Sequence, residues 1–246
     1  VREIEMAGLQ AWPGIETERD GQWVRRAAGG YSKRANSVQC LDPADGADAA
    51  VRIAAARQWF EERGIDPVFR VTPLTAPAIL EALRAAGWIF FDHSRTMAMD
   101  LAELDAGLDP RAELMAPDDA RFLSAQRALQ EYDDATVGKL RAVIAAIAVP
   151  ATGVVIRAED GRPVAAALMG IADGIAVAGN VITARAERGR GYGKALMRSA
   201  LAWAKRAGAS FAALNVAADN PPALALYGSL GYAVVYDYHY ARPSSP

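Results

Sequence analysis

One cysteine, Cys40, and two histidines, His93 and His239, stand among 246 residues. A lone thiol forms no intrachain disulfide, so a reducing compartment is the natural setting. No motif joins either histidine to Cys40 as a catalytic pair, and so few soft or imidazole ligands leave little for a zinc site. Charge of one sign is also scarce, because 27 basic residues against 29 acidic ones leave a net charge of -2. That balance sets up no broad field to hold nucleic-acid phosphates. Long apolar runs are missing too. The greasiest stretch, Val143 to Val155, is broken by Pro150 and Gly153 and falls short of the ~20 residues a membrane-spanning helix needs. The first residues, Val1-Arg2-Glu3-Ile4-Glu5-Met6, are charged and lack the apolar run of a signal peptide. The expectation is a cytoplasmic protein with neither nucleic acid nor membrane as a partner.

What remains is an ordinary globular balance, with 52% hydrophobic and 23% charged residues, enough chain for one large domain or two small ones. Periodicity and punctuation predict a short helix over Arg2 to Ala11, then strands over Gln22 to Ala28 and Ser37 to Leu41 joined by a turn at Gly29-Gly30. A helix follows from Ala49 to Arg63, with Val51, Ala55, Trp59 and Phe60 near one face and Gly64 as its stop. Val68 to Val71 is a strand, Ala78 to Ala86 a helix, and Trp88 to Phe91 and Arg95 to Asp100 two strands. The polar connector Leu101 to Pro110 is the best domain boundary, giving units of residues 1–105 and 106–246.

The second unit begins with a strand over Ala112 to Met115, after which Pro117 opens a helix favoured by Asp118 and Asp119. A helix over Thr136 to Ala148 leads to strands over Gly153 to Ala158, Val164 to Ile171 and Gly174 to Ile182, with Asp160-Gly161 and Asp173-Gly174 as hairpin turns. Gly193 to Ala207 is a helix capped by Gly208, with Leu196, Ala200, Trp203 and Ala207 as its stripe. Phe211 to Val216 is a strand, Pro221 to Leu230 a helix, and Tyr232 to Tyr240 the final strands. Trp59, Trp88 and Trp203 are expected in the core. Tyr236, Tyr238 and Tyr240 alternate on one strand face, either lining a cleft or packing between the halves, with His239 opposite.

Both units end in the same grammar. Phe69-Arg70-Val71, a Pro/Thr loop, a short helix and Gly87-Trp88 are answered by Leu214-Asn215-Val216, an Asp-Asn-Pro loop, a short helix and Gly231-Tyr232. Aligning Gly87 with Gly231 sets Leu83 opposite Tyr227. Two copies of one fold or two unrelated domains sharing a strand–helix–strand unit both fit this pattern.

Chemistry concentrates in Arg188-Gly189-Arg190-Gly191-Tyr192-Gly193-Lys194, which follows an apolar strand and opens an amphipathic helix. Glycines there let successive N–H groups converge at the helix N-terminus, an arrangement that suits a pyrophosphate, with Arg188, Arg190 and Lys194 adding positive charge. The glycine spacing fits neither the dinucleotide fingerprint nor a P-loop, and a plain structural turn stays open for this stretch alone. A second cluster, Asp219-Asn220-Pro221-Pro222-Ala223 running on to Tyr227 and Gly231-Tyr232, follows the strand that carries Asn215.

The order of apolar strand, Arg-x-x-Gly-x-Gly, helix, strand with Asn, Asn-x-x-Ala-x-x-x-Tyr and Gly-aromatic resembles the GNAT acetyltransferase superfamily from about Arg111 to Tyr240. The resemblance implies an α/β protein (an α+β mixed sheet) of two GNAT-like acyltransferase halves. The C-terminal half is complete, and the N-terminal one is degenerate and lacks the cofactor loop. It implies acetyl-CoA (coenzyme A) as cofactor, with the pyrophosphate at Arg188, Gly189, Arg190, Gly191, Tyr192, Gly193 and Lys194. It further implies a splayed strand at Val181, Ile182 and Thr183 beside the pantetheine arm, cofactor contacts at Asn220 and Asn215, and Tyr227 facing the sulfur. Arg185 stands where many members have proline, a change harmless to backbone contacts.

The activity implied is an N-acetyltransferase in which an amine, small-molecule or peptide, attacks the thioester directly in a ternary complex. No metal is needed, and a homodimer is one open state of assembly. A phenol of reference pKa about 10 facing a thiol of about 8.5 gives up its proton only partly to the departing sulfur. The base is less well marked. Deprotonating an alkyl amine at pH 7 costs about 4.6 kcal/mol, yet the strand Ile175 to Ile182 carries no acid. Glu131, Asp133, Asp134 and Asp173 are the candidates, alongside a water relay. The polar turn Gly29 to Asn36 is a further candidate for contact with the acceptor. A non-catalytic acyl-CoA sensor or scaffold is the alternative function.

Overall fold

The computed structural model of the chain describes residues 1–104 and 107–244. The first half runs α1 (Arg2–Ala11), β1 (Glu16–Asp20), β2 (Trp23–Ala27), β3 (Ser37–Cys40), α2 (Ala49–Glu61), β4 (Phe69–Val71), α3 (Pro77–Ala85) and β5 (Trp88–Asp100). The second runs β6 (Ala112–Met115), α4 (Ala120–Gln130), α5 (Asp134–Ala145), β7 (Ala151–Arg157), β8 (Pro163–Ala172), β9 (Ile175–Thr183), α6 (Tyr192–Arg206), β10 (Phe211–Ala217), α7 (Pro221–Gly228) and β11 (Ala233–Pro243). These strands form one mixed sheet in the order β1-β2-β3-β4-β11-β5-β10-β9-β8-β7-β6.

The repeat is legible in that order. In the first half β1, β2 and β3 pair antiparallel, α2 crosses over, and β4 returns parallel to β3. In the second, β7, β8 and β9 pair antiparallel, α6 crosses over, and β10 returns parallel to β9. A helix then leads to a last strand in each half. Those last strands are exchanged: β11 lies between β4 and β5, and β5 lies between β11 and β10. Each half's final strand thus pairs antiparallel with the other half's penultimate one. The expected boundary between residues 105 and 106 lies outside the described residues.

Strand β8 shows why its sequence is an unbroken apolar run. Ala165, Ala167 and Met169 face the core under α6, whereas Ala166 and Leu168 face the core under α4 and α5. Both faces of the strand are covered, so period two selects a core and not solvent. In the first half α2 and α3 pack Ile53, Trp59, Phe60, Ile79 and Leu83 around Phe69, Trp23 and Trp88. Helix α1 crosses to the second half, setting Ala7 and Ala11 against Ala172, Ile175 and Val177.

Local differences from the sequence reading have physical causes. Val51 is 71% exposed, because α2 buries the bulkier set Ile53, Ala56, Trp59 and Phe60. Trp203 only partly reaches the core. Strand β1 lacks any apolar pattern, as its composition Glu-Thr-Glu-Arg-Asp suits a charged sheet edge. Helix α4 starts after Pro117, with the Asp119 side chain accepting from Arg121 N as N-cap. β5 is a single strand, with Asp92 at φ 50 absorbing an irregularity in its pairing with β11 between Tyr238 and Tyr240.

Candidate active site

The site begins where two parallel strands part. β9 and β10 pair from Ile175 and Phe211 as far as Ala178 and Leu214. Beyond that point β9 stays with β8 up to Thr183, and β10 stays with β5 up to Ala217. A bulge steers β9 away, lying between the pairs Leu168↔Gly179 and Ala166↔Ile182, with Asn180 at φ 48. Gln126 of α4 donates to the Asn180 carbonyl at 3.0 Å, satisfying the bulge from behind. Val181, Ile182 and Thr183 are half-buried along the open side of the resulting V.

After β9 the chain makes one tight turn, Arg185–Glu187, and enters the glycine loop. Gly189 at φ 77 and Gly191 at φ 83 occupy the left-handed region, with open space where a side chain would stand. The constraint there is backbone conformation and not room. Gly191 is the N-cap of α6. Gly193 is tight instead, since a Cβ would lie 3.2 Å from Thr183 Oγ1 and 3.3 Å from Leu226 Cδ2. The loop is anchored by buried Glu187, which accepts from Arg162 at 2.5 Å and Arg190 at 2.6 Å. The Arg162 hydrogen bond, with Arg190 beside it, holds the Glu187 carboxyl below its usual range. Arg188 and Lys194 stay exposed, and Tyr192 lies between the Arg111 and Arg190 guanidiniums at 5.1 and 5.9 Å. The first-turn N–H groups of α6 are donors without helical partners.

Inside the V is a cleft of about 590 Å³ whose walls include Val181, Asn215, Asn220 and Tyr227. Asn220 caps α7, its Oδ1 accepting from Ala223 N at 3.2 Å. Tyr227 is 7% exposed and lies edge-on to Tyr232 at 6.0 Å. Its hydroxyl has no hydrogen-bond partner among the described residues. Burial pushes the Tyr227 phenol up to about 12 against an opposing pull from Arg34. Ile182, Thr183 and residues 188–194 do not line this cleft.

Asn215 tops a buried polar network that joins the halves. Its Oδ1 accepts from Thr96 at 2.9 Å and Arg70 at 3.2 Å. Arg70 grips Glu5 in a fork of 2.7 and 2.9 Å, and Tyr236 and Gln39 donate to the same carboxylate at 2.5 and 3.1 Å. Burial would raise the Glu5 carboxyl, yet Arg70 outweighs it and holds it below the usual range. Burial, aided by Arg70, pushes the neighbouring Arg26 guanidinium down to about 10.

The opposite wall comes from the first half. The turn between β2 and β3 is shaped by Asn36, which accepts from Ala28 N at 2.7 Å and Gly30 N at 3.0 Å and donates to Ser32 O at 2.8 Å. Tyr31 hydrogen-bonds Tyr132 at 3.1 Å and accepts from Asn180 at 2.8 Å, docking the turn onto the second half. Tyr31, Ser32, Lys33 and Arg34 therefore line the cleft together with Tyr238 and Tyr240. Those two tyrosines also pack with Tyr236 where the halves meet, while His239 stacks on His93 at 4.6 Å.

The four carboxylates suggested as bases stand elsewhere. Asp173 accepts from Gln10 at 2.8 Å beyond the far end of the V. Asp133 caps α5, Asp134 pairs with Arg127 at 2.8 Å, and Glu131 ends α4. Among the described residues the carboxylate lining the cleft is Asp92, ion-paired to Lys33. Sequence reasoning missed it because an exposed aspartate in a strand carries no signal until β11 and the turn fold against it. Gln130, the last residue of α4, is a second missed lining residue.

A split parallel pair, a glycine loop at a helix N-terminus and a tyrosine facing the split define a GNAT acetyltransferase fold, present here in tandem. The chain belongs to the family described as "Probable histone acetyltransferase Rv0428c C-terminal", whose model matches residues 1–241. Among solved structures it is similar to a GCN5-related N-acetyltransferase from Kribbella flavida, at 19% identity and TM-score 0.71 over 100% of this chain and 96% of that one. A putative GNAT-family acetyltransferase from Novosphingobium aromaticivorans is 18% identical with TM-score 0.61, covering 93% of this chain and 92% of that chain. A tandem GNAT protein from the clavulanic acid biosynthesis pathway is 16% identical with TM-score 0.64, covering 98% and 89%. At these identities the likeness is one of fold. No curated protein matches the sequence. Among the described residues no helix is long and apolar enough to cross a membrane.

Proposed function

We propose that the protein transfers an acetyl group from acetyl-CoA to a small-molecule amine, with the chemistry in the second half. The observation that carries this reading is the unbonded Tyr227 hydroxyl facing the gap between β9 and β10, beside a glycine loop flanked by exposed cations. The donor set suits a pyrophosphate: left-handed Gly189 and Gly191, the free N–H groups of the first turn of α6, and the charges of Arg188 and Lys194. Acetyl-CoA, when bound, supplies an acetyl group already activated as a thioester. Val181, Ile182 and Thr183 offer backbone groups along the open edge of the V, and Asn220 and Asn215 offer side-chain amides.

Direct attack in a ternary complex requires the acceptor amine to be unprotonated when it attacks. Asp92, directly or through a water, takes that proton. Tyr227 donates to the departing sulfur, and its raised pKa keeps it a hydrogen-bond donor that shares its proton instead of ionising early. A cleft of about 590 Å³ walled on one side by the turn of the first half has the size of a small-molecule site. The first half acts as cap and scaffold in this reading, not as a second catalyst.

Calorimetric titration of the protein with acetyl-CoA, beside the Gly191→Glu variant, tests the proposal. Binding by the wild type that the variant loses is the expected outcome and justifies an amine screen. An absence of binding by the wild type overturns the reading. Tight binding with no transfer to any amine would favour an acyl-CoA sensor.

A further inference from the structure

The turn that walls the cleft carries a cation whose charge no carboxylate answers among the described residues. Arg34 lines both the cleft and the small cavity beneath it. Its Nη1 lies 3.6 Å from where a Cβ on Gly179 would stand, at the vertex of the V. The guanidinium sits 5.1 Å from the Trp12 ring and makes no ion pair among the described residues. This is not a loose surface arginine. Its carbonyl accepts from Arg26 Nη2, the turn around it is fixed by Asn36, and Trp12 donates to Ser32 at 2.9 Å.

Neighbouring charges sharpen the imbalance. Lys33 and Asp92, the other charged groups lining the cleft, neutralise each other. Below the floor, Glu5 is committed to Arg70, while Arg26 Nε and Arg70 Nη1 are buried without an acceptor among the described residues. Arg70 also stacks 3.6 Å from the ring of Tyr238, a cleft residue. The cleft therefore has an excess of guanidinium at its base, where partial burial weakens screening. A lysine side chain in a basic peptide, or a polyamine, brings more positive charge to that base. An amine that also carries a carboxylate brings the group a guanidinium fork fits best.

We propose that the acceptor is an amine bearing a carboxylate, held through the carboxylate by Arg34 while its amino group faces Tyr227. The inference rests on the acetyl-transfer reading above. In the reaction the amine nitrogen bonds to the acetyl carbonyl carbon and the carbon–sulfur bond breaks. One amine proton leaves to Asp92 or water, Tyr227 gives its proton to the departing sulfur so that it leaves as the coenzyme thiol, the released proton returns to Tyr227 through solvent, and the product is an N-acetylated acid.

The test uses matched amines that differ by the carboxylate, phenylalanine against phenethylamine and lysine against 1,5-diaminopentane, with a C-terminally amidated lysine-rich peptide alongside. kcat and KM are measured for wild type, Arg34→Gln and Arg34→Lys, and acetyl-CoA affinity is measured by calorimetry in each. The acid of each pair is expected to be preferred in kcat/KM by about 10- to 100-fold, the factor a hydrogen bond to a charged group supplies. Arg34→Gln should erase the preference through KM without weakening acetyl-CoA binding, and Arg34→Lys should keep part of it. Preference for the decarboxylated amines or the peptide overturns the inference while leaving acetyl transfer standing. So does an Arg34→Gln loss that is equal for all acceptors and confined to kcat. If no amine is acetylated, the transfer reading fails, and N-acetylphenylalanine against N-phenethylacetamide then tests the site by calorimetry. Preferential binding of the acid upholds the Arg34 site, and equal binding overturns it.

Discussion

The two crossover connections of this molecule share a shape and differ in chemistry. Between β3 and α2, as between β9 and α6, the chain enters the helix through a left-handed residue, Asp48 at φ 52 in the first half and Gly191 at φ 83 in the second. The first connection is acidic and closed on itself. Asp45 accepts from Arg52 at 2.8 Å and Gln22 N at 2.7 Å, and Arg52 covers the Trp23 ring at 4.2 Å. The second is glycine-rich and leaves Arg188 and Lys194 exposed. Downstream, fully buried Leu83 of α3 corresponds to Tyr227 of α7, which faces a cleft. One scaffold thus supports either a site or a core, depending on a few side chains. The half without the glycine loop supplies a wall of the other's cleft.

The sharpest way to break this comparison is Tyr227→Phe. It should lower kcat by ~10²–10⁴ with acetyl-CoA affinity unchanged, and wild-type turnover would remove the tyrosine from the mechanism. Its counterpart, Leu83→Ala, should act on stability alone, costing about 2–5 kcal/mol in chemical denaturation while acetyl-CoA affinity holds. A loss of affinity there would mean that the first half does more than cap. Next come the two helix entries. Gly191→Glu forces a side chain into the left-handed region, a strain of ~1–3 kcal/mol, and sets a carboxylate where phosphate should bind. Acetyl-CoA should weaken at least ~10-fold, whereas Asp48→Gly should leave its affinity alone and raise stability by up to ~1 kcal/mol. The smallest effect concerns pH. Burial pushes Tyr227 up to about 12, so the phenol keeps its proton until the pH climbs through that value. The kcat profile should therefore show no alkaline fall below about pH 10, and a fall near pH 8–9 would assign donation to another group.

Much of the second half was legible because its signals are local. A glycine loop between an apolar strand and an amphipathic helix, or Asn220 ahead of a helix that carries Tyr227, declares itself within a few residues. The repeat was legible from Gly87-Trp88 and Gly231-Tyr232 for the same reason. Strand β1 was not, because a charged edge strand carries no apolar alternation. Nor was the single strand β5, whose break at Asp92 is a kink in a pairing formed with residues far along the chain. Asp92 stayed hidden as a cleft residue because its neighbours there, Lys33 and Tyr240, come from the other ends of the fold.

By itself the sequence determined the fold class and where a glycine loop would open an amphipathic helix. Left-handed glycines, capping residues and a helix N-terminus act over one or two turns of chain, and their neighbours in sequence are their neighbours in space. Only the tertiary structure decided that the halves exchange β5 and β11 to make one sheet. It alone decided that a turn near residue 34 forms a wall of the second half's cleft, and that Asn215 belongs to a network reaching back to Glu5. Those outcomes depend on buried polar groups finding partners and on strands finding edges across more than a hundred residues, and no local pattern encodes which partner will be reached.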